Sequence, residues 1–213
     1  MMEYEIISTG SKGNAVLLGG KVLIDCGVPY AKVKPYVDRL ALVLITHTHG
    51  DHLNPGTARR LARERPALAF GCGVDAAKVL MSVGVRNIGL MREGAIGRLG
   101  PEITVTPYDV PHDVPCLAYS VEIDGESCFY ATDCKDLYGI SAPGHDLYMV
   151  EANYEDGEMD ERISEKLDRK EYIYEVRARA QHMSKADALQ WLMANAGEAE
   201  IVLLHQHGGK HGR

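Results

Sequence analysis

Residues 47–52 read His-Thr-His-Gly-Asp-His and directly follow the apolar run Ala41–Ile45. Three imidazoles and a carboxylate in six residues have no packing rationale beside a run that reads as a buried strand. They do have a chemical one. His47 and His49 alternate along an extended segment, so both rings can point the same way. Asp51 and His52 follow in the turn that leads to a helix opened by Pro55. One short segment thus offers ligands in two directions, in the nitrogen and oxygen mixture that zinc favours. Such a chain must deliver a strand end to a rigid edge where further ligands can converge.

A catalytic ion takes about three protein ligands and a water, so two ions need more partners. Candidates stand at His112 in Val110-Pro111-His112-Asp113, at Asp133 in Thr132-Asp133-Cys134, and at His205 after the apolar run Ile201–Leu204. A lone histidine after a strand is more often a satisfied core or surface residue. The set as a whole does not fit that reading.

The rest of the chain supplies strands and helices in two similar halves. Glu3–Ser8, Ala15–Leu18 and Lys21–Ile24 read as an antiparallel meander turning at Gly19-Gly20. Pro29–Leu40, the basic amphipathic stretch Pro55–Arg65, and Asp75–Val83 read as helices, with strands at Ala41–Ile45 and Ala67–Phe70. A second run of strands follows at Asn87–Met91, Ile103–Tyr108, Leu117–Ile123 and Ser127–Ala131, with Asp124-Gly125 as a hairpin turn, and Leu147–Glu151 is a further strand. Asp156–Ala180 reads as a charged helix and Ser184–Asn195 as a helix capped by Ser184. Ile201–Leu204 closes the series. The pattern predicts a four-layer α/β/β/α sandwich, one domain over residues 1–207 with a disordered tail at 208–213.

Composition narrows the setting. No basic-then-apolar leader opens the chain, and no apolar run is long enough to span a bilayer, so the expected location is cytoplasmic, with no membrane partner. Five cysteines without a CxxC pair argue against a disulfide framework or a cysteine zinc knuckle. The formal net charge of −7 weighs modestly against extended duplex binding and less against a small phosphate ester.

The His-x-His-x-Asp-His motif with its spaced His, Asp and His resembles the metallo-β-lactamase fold superfamily, over a span from Ser8 to His207. The resemblance implies that His47, His49 and His112 hold one metal, that Asp51, His52 and His205 hold a second, and that Asp133 bridges them. Ser8-Thr9-Gly10-Ser11-Lys12-Gly13-Asn14-Ala15 is similar to the opening of YycJ-type members. Glu151-Ala152-Asn153-Tyr154 and Gln181-His182-Met183-Ser184 resemble motifs of the phosphodiesterase branches, which include the ribonuclease Z and YycJ-type nucleases. Gln181 replaces the usual glycine, and His205-Gln206-His207 replaces the usual His-Leu-Ser. The stretch from Asp133 to His182 is too short for a β-CASP cap.

The resemblance implies phosphodiester hydrolysis of nucleic acid or a nucleotide, with zinc as the expected metal; carboxylates and a bridging water also accommodate manganese. Two ions about 3.5–4 Å apart can share a hydroxide at neutral pH. Asp51 would also orient that hydroxide, His182 would protonate the leaving oxygen, and Glu151 would fix the tautomer of His182 or of a metal-bound histidine. Dimers are common in the related branches, so a homodimer is the expected assembly. A cyclic-nucleotide phosphodiesterase, a lactone, thioester or β-lactam hydrolase, and a metal-holding scaffold are the competing functions.

Smaller features have plainer readings. Cys134 reads as a small buried residue before it reads as a ligand. His145 and His211 read as surface or tail residues, and His207 as a surface residue or a substrate contact. Gly10–Asn14 reads as a turn before a phosphate nest. The charged segment 155–179 is either a solvated helix or a lid or dimer element.

Overall fold

The computed structural model describes residues 1–206. His207, His211 and the expected disordered tail lie outside that span. The described residues form two six-stranded mixed sheets. The first runs in the order β1 (Tyr4–Ser8), β2 (Ala15–Leu18), β3 (Val22–Ile24), β4 (Leu42–Ile45), β5 (Ala69–Cys72), β6 (Ile88–Leu90). Its first three strands are the expected antiparallel meander, and β3 to β6 then pair in parallel. The second sheet runs β7 (Gly97–Leu99), β8 (Ile103–Val110), β9 (Cys116–Ile123), β10 (Glu126–Ala131), β11 (Leu147–Glu151), β12 (Glu200–Leu204), antiparallel up to β10 and parallel beyond.

Side-chain alternation sorts the central strands into layers. In β4, Leu42 and Leu44 enter the core between the sheets, while Val43 and Ile45 enter the core under the helices α1 (Tyr30–Val33), α2 (Pro55–Glu64) and α3 (Val74–Ser82). In β10 and β11, Cys128, Tyr130, Leu147 and Met149 face the first sheet. Their neighbours Phe129, Ala131, Tyr148 and Val150 pack toward α6 (Lys185–Asn195) on the far side. Strands buried on both faces read as continuous apolar runs, which is why Leu42–Ile45 and Leu147–Glu151 carry no alternation in sequence. The three cores produce the expected α/β/β/α sandwich.

Several local expectations hold. Asp124 and Gly125 both adopt positive φ, 53° and 86°, the geometry of a two-residue hairpin turn. Asn54 caps α2 by accepting from the Gly56 and Thr57 amides, and Ser184 caps α6 by accepting from Asp187 N.

Others need correction. The strand expected over Asn87–Met91 opens no second run; as β6 it pairs in parallel with β5 and ends the first sheet. Strand β7 has no sequence counterpart, because three residues around Arg98 give too short a pattern. The helix expected over Pro29–Leu40 is one α turn, α1, followed by a 3-10 segment over Lys34–Arg39, because Pro35 has no amide hydrogen to continue the α ladder. The single charged helix expected over Asp156–Ala180 is two: α4 (Asp156–Asp168) and α5 (Tyr174–Gln181), separated where Lys170 takes φ 53°. Each buries one side chain, Met159 in α4 and Glu175 in α5. No helix is long and apolar enough to cross a membrane among the described residues.

Candidate metal centre

The chemistry gathers where the strands end. Asp25 follows β3, His47 follows β4, His112 follows β8, Asp133 follows β10, Glu151 closes β11 and His205 follows β12. Since β8 and β10 run the same way as β11 and β12, these are C-terminal ends collected along one edge of each sheet, where crevice sites form. Two contacts lock the edges together: Leu117 N donates to Thr46 O at 3.0 Å, and the Tyr119 hydroxyl donates to Ile45 O at 2.6 Å. Asp25, Asp133 and His205 all take positive φ (60°, 49° and 56°), so each strand end bends sharply as it presents its side chain. Left-handed backbone in non-glycine residues clusters at functional sites.

Three overlapping groups place ligand atoms within 4.8 Å of one another: His47, His49 and His112; His47, His52 and Asp133; and Asp133, Glu151, His182 and His205. His47 and Asp133 each belong to two groups, so the three form one centre. His47 Nε2 is buried without a hydrogen-bond partner among the described residues. An orphaned buried imidazole nitrogen beside two further imidazoles and a carboxylate is the donor set a divalent ion satisfies, so the residues fit a metal.

The surrounding carboxylates set the charge. Burial pushes the imidazolium of His47 down to about 2, helped by the neighbouring His52, which leaves His47 neutral as ligation requires. Burial also lowers His112. His52 behaves oppositely: burial opposes its charge, but Asp25 and Asp133 outweigh it and raise the group to about 10. Burial would raise Asp133, yet hydrogen bonds from His182, His205 and His52 hold it well below the usual carboxylate range. His182 is raised to about 10 against the cost of burial, by hydrogen bonds to Asp133 and Glu151.

The structure brings together His47, His49 and His112 as the motif implies, and places His52 and His205 on Asp133. The Asp51 carboxylate joins none of the three groups, and its main chain holds the turn. The Asp51 carbonyl accepts from Asn14 N at 2.6 Å and from Asn14 Nδ2 at 3.2 Å. Gly27 packs so closely that a β-carbon there would lie 1.8 Å from that oxygen. The turn is clamped at Asp51 and turns His52 inward.

Glu151 and His182 meet as expected. His182 Nδ1 donates to Glu151 Oε1 at 2.7 Å, and Glu151 also accepts from Cys134 N at 3.0 Å and Met183 N at 3.3 Å. Glu151 is fully buried, so this acceptor is fixed. Cys134 is buried, and its thiol joins no ligand group among the described residues. Gly10–Asn14 is a turn closed by Gly13 N on Gly10 O, and it serves to place Asn14. His145 is half-buried rather than on the surface: its Nδ1 donates to Ala142 O at 3.1 Å and its Nε2 accepts from the Ser120 hydroxyl at 2.7 Å.

Sequence reasoning misses four residues. Asp25 accepts from His52 Nδ1 at 2.7 Å, from Thr46 N at 2.8 Å and from Thr46 Oγ1 at 2.9 Å, which fixes the His52 ring. Thr46 Oγ1 also lies 3.0 Å from His47 Nδ1. The Asn14 amide lies 2.7 Å from both His52 Nε2 and His205 Nε2. Asp113 sits 3.3 Å from His49 Nε2 and 3.2 Å from His112 Nε2. Asp25, after the apolar β3, carries the same strand-end signal as Asp133 and could be found by it.

The chain belongs to the beta-lactamase superfamily domain family, whose model matches residues 21–206. It is 29% identical over 148 residues to a UPF0173 metal-dependent hydrolase of Thermococcus kodakarensis, a match that covers 60% of this chain and 60% of that protein. Among solved structures it is similar to the metallo-beta-lactamase fold protein YhfI of Bacillus subtilis (TM-score 0.71, 20% identity, 99% of this chain and 88% of that one). It is also similar to the short form of human tRNase Z (TM-score 0.71, 18% identity, 97% and 93%). Zinc-bound PqqB of Methylobacterium extorquens shares the fold at a TM-score of 0.62, with 13% identity over 97% of this chain and 88% of that one.

Proposed function

We propose that the chain is a metal-dependent hydrolase that binds two divalent ions and cleaves phosphodiester bonds in nucleic acid. The observation that carries this reading is Asp133, a buried carboxylate shared by two ligand groups, with His182 at its edge held by a buried Glu151. His47, His49 and His112 would hold one ion, and His52 and His205, which both contact Asp133, would hold the other together with it. Ions bound there would polarise a phosphoryl oxygen and make a nucleophile available at neutral pH. Zinc suits the imidazole-rich set, and a zinc-bound structural neighbour shares the fold.

The chain's own residues do the rest. Glu151 accepts from His182 Nδ1, which orients the ring and keeps its proton available. His182 then donates to the leaving oxygen as general acid. Asp25 and Thr46 hold His52 and His47 in register. Asp51 shapes the turn through its carbonyl.

A polymeric substrate is favoured by a local reversal of charge. Between Tyr30 and Arg65 there are seven Lys and Arg against three Asp and Glu, in a chain of net −7. Lys12, Lys32, Arg59 and Arg63 are exposed and have no carboxylate within 4.0 Å among the described residues. Lys32 is linked to the centre: its Nζ donates to Ser8 Oγ at 3.4 Å, and the Ser8–Gly13 segment, which carries Lys12, ends on Asn14 between His52 and His205.

The test is hydrolysis of bis(p-nitrophenyl) phosphate, with zinc and with manganese, by wild type and His182→Ala. We expect an active wild type and a drop on the order of a hundredfold in the variant with both ions retained, the size a general acid contributes. Bound metals without diester cleavage would move lactones and thioesters to the front.

A further inference from the structure

We infer that Asp113 is a positioning residue: its carboxylate ties helix α5 to the histidines of the first metal group and thereby sets the position of His182. The inference rests on the proposed role of His182 as general acid, but the tie itself is a matter of geometry. One oxygen, Oδ1, lies 3.3 Å from His49 Nε2 and 3.2 Å from His112 Nε2. The other, Oδ2, accepts from Arg177 Nη2 at 2.9 Å and from Gln181 Nε2 at 2.8 Å. Arg177 Nε in turn donates to Gln181 Oε1 at 3.2 Å, so the two α5 side chains form one fork around Oδ2. A single carboxylate thus joins a helix to the metal-binding loop, and the helix residue it grips, Gln181, immediately precedes His182.

Helix α5 depends on such a tie because little else holds it. Glu175 is its only buried side chain, and Tyr174 and Val176 are 46% and 58% exposed. The buried Glu175 is itself paired with Lys166 of α4, at 2.7 Å, so it secures α5 to another polar helix rather than to the core. A helix without a core-facing apolar stripe takes its position from polar contacts. At its C-terminal end those contacts are three: Arg179 on Asp160 of α4 at 2.6 Å, the Asp113 fork, and His182 on Glu151 and Asp133, and of these only the last two reach the metal-binding residues. The general acid is therefore coupled to the geometry of the first group through Asp113.

Two variants release the tie from opposite ends: Asp113→Ala, and the double variant Arg177→Ala/Gln181→Ala. We expect both to speed amide exchange across residues 174–181 at least tenfold in metal-free and metal-loaded protein. We expect both to lower kcat on bis(p-nitrophenyl) phosphate by roughly 10- to 100-fold, the range for residues that orient active groups, with KM changed less than twofold and both ions retained. On the His182→Ala background the further drop should vanish, since residues acting as a unit are not additive. Asp113→Glu, which keeps the charge on a longer arm, should recover part of kcat. Unchanged exchange across 174–181 would overturn the tie. So would release of a metal ion in Asp113→Ala with none in the double variant, because Asp113 would then be a ligand. If wild type cleaves no diester, the exchange measurement still decides the tie, while the phosphodiesterase reading fails on its own.

Discussion

The two halves of the molecule supply the centre by different means. From the first half, His47, His49 and His52 come from one turn after one strand, and that turn is wedged between Asn14, Gly27 and Asp25. From the second half, Asp133, Glu151, His182 and His205 each come from a separate strand or helix end, and His182 hangs on the thinly packed α5. The first half concentrates its chemistry in sequence and anchors it by close backbone packing. The second disperses it and depends on tertiary structure to assemble it. Metal retention should follow the first arrangement, and positioning of the reacting proton the second.

The sharpest way to break that division is through the residue both halves share. Asp133→Ala removes an oxygen from two ligand groups at once. If binding of a structural zinc is worth ~10–16 kcal/mol over four ligands, each ligand carries about 3–4 kcal/mol, so affinity should fall on the order of 10²–10³-fold. Asp25→Ala, which removes the acceptor behind His52 and Thr46 but no member of a ligand group, should weaken metal binding by roughly 10- to 100-fold. Competition with a chromogenic chelator measures both. Equal effects would mean that the supporting carboxylate is itself part of the ligand set, and the picture of an anchored first half would need redrawing.

What can be read from sequence follows the same line. The His47–His52 turn is legible because its residues are adjacent and because the apolar strand before it excludes a packing explanation. Strands such as Leu147–Glu151 are legible as buried runs, and Ser184 as a cap, because these signals are local. Glu151 and His182 lie thirty-one positions apart and acquire a joint meaning only through resemblance to a family. Asn14 and Thr46 escape notice because their role is to touch a ligand rather than be one, and nothing local marks such a contact; Asp25 has the same role but carries a strand-end signal. The clamp from Asn14 on the Asp51 carbonyl and the close approach of Gly27 fix the turn that carries the motif, and neither is expressed by residue spacing. The break at Lys170 is hidden because a uniformly charged stretch offers no periodicity to interrupt.

A smaller effect would sharpen the comparison at the surface. If the first half also carries the polymer, Arg59→Glu/Arg63→Glu should raise KM for a single-stranded oligonucleotide several-fold and leave bis(p-nitrophenyl) phosphate hydrolysis unchanged. Each ion pair with a backbone phosphate that the variant abolishes should reduce the slope of log affinity against log salt by about 0.7–0.9. An unchanged salt slope would leave the strip between Lys32 and Arg63 as a solvated face.

The smallest effect concerns the outer cores. His145 packs against the α6-side core beside Phe129 and Tyr148, with ring centroids 5.9 and 5.4 Å away. Burial lowers its pKa below the usual 6.5, a shift partly offset by the hydrogen bond to Ala142 O and by Asp146. The sign follows directly. Below about pH 6.5 the unfolded chain takes up a proton that folded His145 resists, so the unfolded state binds more protons and stability falls as pH falls. Above about 6.5 both states are neutral and the contribution is constant. The second half should therefore loosen first in mild acid, which amide exchange over β9–β11 compared with β4–β5 would detect. His145→Gln, which can keep a donor and an acceptor without titrating, should flatten the pH dependence of Tm between about pH 7 and 5 relative to wild type at matched metal content. If the two curves remain parallel, the acid sensitivity belongs to the metal-site histidines, and the halves do not differ in their outer cores.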